Sequence, residues 1–235
     1  MSRRRDNETA KNKAKTHQLA DRKRRHLPAA ERERQIVEAA ASFFAERGFE
    51  GQTRELAKTM AITHSAIFRY FPSKEALIER VYEHVFLSRW DPRWKGLIVD
   101  RSQPLEARLI RFYREYTERI FDSEWVRIFI FSGLKGHSMT RRYVKLVRDQ
   151  LIRSACAELR AELGLAPVSE LPISTREEEA FWGLHGTVFY IAIRKFIYCV
   201  PVPGELNKTI EDSVRGFLTG MATLAPECCR TEAAK

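Results

Sequence analysis

The chain has 235 residues, 44% of them apolar, and a net charge of +10, enough for one large or two small domains with a real buried core. Its four cysteines (Cys156, Cys199, Cys228 and Cys229) are too few for a disulfide scaffold and form no metal-ligand set with histidines, which fits a reducing compartment. No apolar run reaches the ~18–20 residues of a membrane span, and the longest candidate, 181–200, is interrupted by His185, Arg194 and Lys195.

Residues 1–28 hold ten of the basic residues against three acids. Such a charged segment, poor in apolar residues, is expected to be a disordered tail. It suits a polyanionic partner, and equally a solvated leader with no role. From Pro28 the pattern becomes helical. AAERERQIVEAAASFFAERG (29–48) carries an apolar stripe at Ile36, Val37, Ala40, Phe43 and Phe44 and stops at Gly48. TRELAKTM (53–60) opens on Thr53, a good N-cap residue, with Glu55 in the first turn. Thr63 caps a third helix to about Phe71, and Pro72 starts a fourth. Longer helices are predicted over 104–121, 123–134, 139–164, 175–198 and 205–224. With no alternating strand pattern and no glycine-rich phosphate loop, the chain reads as all-α with about nine helices.

Residues 53–71 fit two helices around a tight turn. Ala57 is small enough for a crossing point, and Leu56, Met60, Ile62 and Ile67 share the inner face. Ala61 stands where such turns often place glycine. Pinning Ile67 inward leaves Thr63, His64, Ser65, Arg69 and Tyr70 facing out. Small polar residues at a helix start can approach base edges in a DNA groove, and an arginine can fork to guanine or phosphate. Arg54 begins the preceding helix, and Lys74 begins the next.

The text IVEAAASFFAERGFEG, TRELAKTMAITHSAIFRYFPSKEAL, within residues 32–80, resembles the DNA-binding head of the TetR/AcrR family of bacterial transcriptional regulators. The resemblance implies a three-helix helix-turn-helix head on a larger C-terminal helical body that binds an effector and dimerises. It implies that Arg54, Ser65, Ala66 and Arg69 approach bases while Thr53, Tyr70 and Lys74 hold phosphates. Thr63 and His64 complete the expected DNA-facing set. Three departures stand out: Phe68 replaces a common tyrosine, Ala61 replaces the turn glycine, and GFEGQTRE is one residue shorter than the usual spacing. The expected division is 1–28 tail, 29–86 head, 87–226 body and 227–235 flexible C-terminus.

In the body, aromatic residues crowd at helical spacing. They serve a core in any case, and Phe112, Tyr116, Trp125, Phe129, Trp182, His185 and Phe189 are the candidate lining of an effector cavity. The aromatic content points to an apolar or planar effector, and Arg111, Arg153 and Arg194 are candidate anion holders. Gly183, Gly186, Gly216 and Gly220 weaken their helices by ~1 kcal/mol each, which suggests close approach by another helix. Helices 175–198 and 205–224 are therefore expected to pair with their copies in a homodimer. No nucleophile–base or metal-binding motif points to an enzyme, and no cofactor is expected. The reading is a ligand-responsive repressor on a palindromic double-stranded DNA operator, in the bacterial cytoplasm with the nucleoid and with no membrane partner. The alternative is an effector-independent nucleic-acid-binding or scaffold protein.

Overall fold

The computed structural model describes residues 28–232, which form helices and connecting turns without a strand. The tail expected at 1–28 lies outside the described residues except for Pro28. The head comprises α1 (Ala29–Arg47), α2 (Thr53–Thr59), α3 (His64–Phe68) and α4 (Lys74–Val85). The body comprises α5 (Arg93–Val99), α6 (Leu105–Ile120), α7 (Ser123–Leu134), α8 (Ser138–Val147), α9 (Arg153–Glu162), α10 (Thr175–Phe196) and α11 (Leu206–Glu232).

Every expected helix is present, with adjustments. The segment predicted as one helix over 139–164 is α8 and α9 joined by a π turn at Arg148–Ile152. Helix α5 is an addition, too short to show periodicity in the sequence. Helix α11 runs to Glu232, through Pro226, rather than ending at 224. The residues expected as a flexible C-terminus from 227 are helical as far as Glu232. Two caps also move. Gln52, not Thr53, holds the N-cap position of α2. Ser73, not Pro72, begins α4, its hydroxyl accepting the Ala76 N–H at 3.1 Å. Thr63 caps α3 as expected, accepting from Ala66 at 3.2 Å.

The turn between α2 and α3 closes in a Schellman arrangement. Ile62 N–H donates to the Ala57 carbonyl at 3.0 Å and Ala61 N–H to that of Lys58 at 3.1 Å. The same pair of bonds ends α7 at Gly136 and α9 at Gly164. Those glycines have φ of 67° and 65°, and Ala61 has φ of 51°. The left-handed conformation inferred for the turn is present, and a Cβ occupies it. Ala61→Gly is expected to stabilise the fold by ~1 kcal/mol. The midpoint of thermal unfolding should rise by roughly 2–4 °C; an unchanged or lower midpoint would remove the strain argument.

The head core is built from the predicted stripe: Ile36, Val37, Ala40, Phe43 and Phe44 are buried with Leu56, Ala57, Ile67, Phe71 and Leu77. Gly51 lets the loop after α1 close, because a Cβ there would lie 2.5 Å from the Phe43 ring. One buried cluster runs from this head into the body. Its junction is Phe86, fully buried just past α4. The Phe86 ring stacks on Tyr82 at 5.5 Å and meets Trp125 at 4.9 Å and Tyr143 at 5.6 Å. Polar contacts run alongside: Arg127 of α7 donates to the Ala45 carbonyl at 2.6 Å, and Lys135 pairs with Glu50 at 3.0 Å.

Candidate functional site

Helix α3 is short because only Ile67 on it is buried. That single anchor turns the opposite side outward. Thr63, Ser65 and Arg69 are exposed, as is Arg54 at the start of α2, while Ala66, Tyr70 and Lys74 are half-buried. Among the described residues, Arg54 and Arg69 have no carboxylate within ion-pair distance, whereas most arginines of the body are paired. Lys58, four residues after Arg54 on the same face of α2, is equally free of such a partner. Sequence reasoning passed over Lys58, although the four-residue spacing from Arg54 was a usable signal. Lys74 lies in the field of Glu50 and Glu75, so its cation is partly balanced.

Two residues of the expected DNA-facing set bind each other. The Thr53 hydroxyl and His64 Nε2 lie 2.8 Å apart, joining the starts of α2 and α3. The His64 ring meets Phe68 edge to face at 4.8 Å. As an aromatic next to Ile67, Phe68 is expected to join Phe71 in the head core. Phe71 is buried, but Phe68 is 37% exposed and forms a wall of the outward face. Its neighbour Ile67 already fills the inner position, and helical spacing turns residue 68 away.

In the body, six of the seven candidate cavity residues converge. Tyr116, Trp125, Phe129, Trp182, His185 and Phe189 line one cavity of about 200 Å³, joined by Tyr143, Val144, Val147 and Gly186. Phe112 does not line it. That ring is buried against Trp94 and Tyr113, at 5.3 and 5.1 Å, one helical turn behind Tyr116. Tyr143 was missed because α8 reads as a surface helix, basic on most of its faces. Burial lowers the His185 pKa to about 4, so the imidazole is neutral. Burial also raises the Tyr116 and Tyr143 phenols, and Tyr143 donates to Tyr116 at 3.4 Å. The candidate anion holders are elsewhere: Arg111 pairs with Glu115, Arg153 with Glu178, and Arg194 lies over Tyr190.

The last two helices leave an open face. A Cβ built on Gly183, Gly186, Gly216 or Gly220 would meet nothing within 4 Å. Among the described residues no helix fills that space, so the close approach expected at the four glycines is not made within the described chain. Between α10 and α11 runs a groove lined by Gly183, Thr187, Gly216, Gly220 and Leu224. No helix among the described residues is long and apolar enough to cross a membrane.

These elements define a helix-turn-helix head carried on a helical body with an internal cavity. Residues 36–81 match the family described as "Bacterial regulatory proteins, tetR family", so that similarity lies in the head. The "HTH-type transcriptional regulator LuxR" of Vibrio harveyi is 34% identical over 68 residues, 28% of this chain and 33% of that protein. The similarity thus spans a third of that relative's length. The fold of the described residues is similar to that of solved TetR-family transcriptional regulators. One from Streptomyces coelicolor has a TM-score of 0.57 at 19% identity, covering 88% of this chain and 90% of its own. One from Pseudomonas syringae pv. tomato gives 0.53 at 17%, with coverages of 80% and 95%. One from Mesorhizobium loti gives 0.51 at 16%, with 83% and 98%.

Proposed function

We propose that the chain is a dimeric repressor whose heads read a palindromic operator and whose body cavity holds the effector. The observation that carries this is the outward face of α2 and α3, where Arg54, Ser65 and Arg69 are exposed and the two arginines have no carboxylate partner among the described residues. Exposed guanidinium groups without an intramolecular partner are ready for guanine edges or phosphates. The Thr53–His64 bond fixes the two helix starts relative to each other, so the hydroxyl and imidazole are presented as one unit.

Regulation is read from Phe86. Trp125, Phe129 and Tyr143 line the cavity and also touch Phe86, which closes α4. A ligand that fits one arrangement of these rings better than another shifts the pose of α4, and with it the spacing of two heads. Heads bound to half-sites ~34–36 Å apart tolerate little change in that spacing. The open glycine-bearing face of α10 and α11 suits a second copy.

The test selects DNA sites from genomic fragments and compares the selected site with random DNA across salt. A palindromic site retained at salt that strips random DNA supports the regulator. Equal loss from both favours a sequence-independent nucleic-acid binder instead. Sedimentation at micromolar concentration should give a dimer, and a monomer would remove α10 and α11 as an interface.

A further inference from the structure

A recess of about 730 Å³ lies where α6 meets the loop before α11 and is lined by Glu118, Lys195, Glu205, Lys208 and Glu211, among others. These charges face solvent and bind one another in part. The smaller cavity in the body differs in every respect that matters to a ligand. Its lining contains no charged side chain. Two of its lining residues carry buried polar atoms with no hydrogen-bond partner: the Trp125 indole Nε1 and His185 Nδ1. Trp125 is fully buried and His185 is 8% exposed. A buried N–H without a partner is costly, and tryptophan has only this one polar group, a donor. His185 Nδ1 can donate or accept according to tautomer.

Size narrows the ligand further. A dry apolar cavity of ~150 Å³ holds benzene, while cavities for drug-sized ligands begin near ~300 Å³. At about 200 Å³, this one holds a single ring with a small substituent. The surrounding rings stack at short range: Trp125 lies on Phe129 with centroids 5.1 Å apart and planes 13° from parallel, and Phe189 meets Phe129 edge-on at 5.4 Å. Val144 and Gly186 are its exposed lining residues, so entry is between α8 and α10.

We propose that this cavity binds an uncharged, single-ring-sized molecule with one hydrogen-bond acceptor, which reaches the Trp125 indole N–H and His185 by turning aside the rings that cover those atoms. An anion finds no cation among its lining residues. The proposal rests on the regulatory reading only where it links occupancy to DNA release.

Three probes of similar size test it by titration calorimetry on the intact protein: acetophenone, ethylbenzene and benzoate. Acetophenone should bind more tightly than ethylbenzene, and benzoate should not bind. Trp125→Phe keeps a ring and removes the N–H, so it should weaken acetophenone about fivefold to tenfold and ethylbenzene much less. The wild-type ranking alone decides the matter if that variant folds poorly. Benzoate binding best overturns the ligand class, as do equal affinities for acetophenone and ethylbenzene or no binding by either. Mobility of the selected operator is read in the same samples. Acetophenone bound in that ranking with operator affinity unchanged supports the ligand class and overturns the cavity's regulatory role.

Discussion

Arg69→Ala is expected to lose roughly 5- to 150-fold in affinity for the selected operator, per half-site, while binding to random DNA changes little. The guanidinium sits at the C-terminal end of α3, exposed and without a carboxylate partner among the described residues. Its removal leaves no buried group unsatisfied, so the melting temperature should stay within about 2 °C. Lys74→Ala gives the contrast. A lysine is a point charge suited to phosphate, so its loss should weaken selected and random DNA alike and reduce the salt slope by about 1. Fluorescence anisotropy at several salt concentrations separates the two variants. Unaltered operator affinity and preference in Arg69→Ala would overturn the proposed docking.

The largest effect on stability is expected from Arg160→Leu. Arg160 is 1% exposed and bonds both carboxylate oxygens of Glu177 at 2.6 Å. It also donates to the carbonyls of Ala166, Leu171 and Pro172, tying α9 to the loop that leads into α10. Removing the cation leaves the Glu177 carboxylate buried with Ser174 and the weakly donating Cys229 thiol as its hydrogen-bond donors, at a cost of about 3–5 kcal/mol. In a domain of this size that is a fall of roughly 6–20 °C in melting temperature. Acid should reproduce part of it. Burial raises the Glu177 pKa, but the bonds from Arg160 and Ser174 outweigh burial and leave it lowered. Its contribution is therefore complete above the ordinary carboxylate range and fades as pH falls through the lowered value. Thermal melts from pH 7 down to pH 3 should show that loss in the wild type, and less of it in Glu177→Gln. A wild-type-like melt for Arg160→Leu would show that the pair is dispensable.

The pair also marks where sequence reading stops. In the sequence alone, Glu177, Glu178 and Glu179 at a helix start are accounted for by the dipole of that helix, and Ser174 with Glu177 does form a capping box. Nothing in the local text says that Glu177 is buried, because its partner is seventeen residues upstream on another helix. Local signals served well elsewhere. The spacing of Leu56, Ala57 and Ile67 placed the inner face of the head, and Thr63 placed the start of α3. The cavity was partly legible because Trp182, His185 and Phe189 share one face of α10. Tyr143 and Phe112 were misjudged because both depend on how helices cross, and Tyr143 turns inward from an otherwise basic helix. Phe68 was misplaced by composition alone: an aromatic beside Ile67 reads as core until helical geometry turns it out.

The position of Phe86 has a thermodynamic corollary. Its ring is the closing residue of α4 and also a neighbour of the cavity wall, so occupancy of the cavity and engagement of DNA would act on the same contacts. Such an influence must be reciprocal: a ligand that weakens operator binding by some factor is itself weakened by operator DNA by that same factor. Coupling of this kind amounts to about 1–3 kcal/mol, or 5- to 150-fold. Molecules already seated on DNA would then respond only at higher ligand concentration than free ones, and the dose at which transcription switches would depend on how many operators the cell carries.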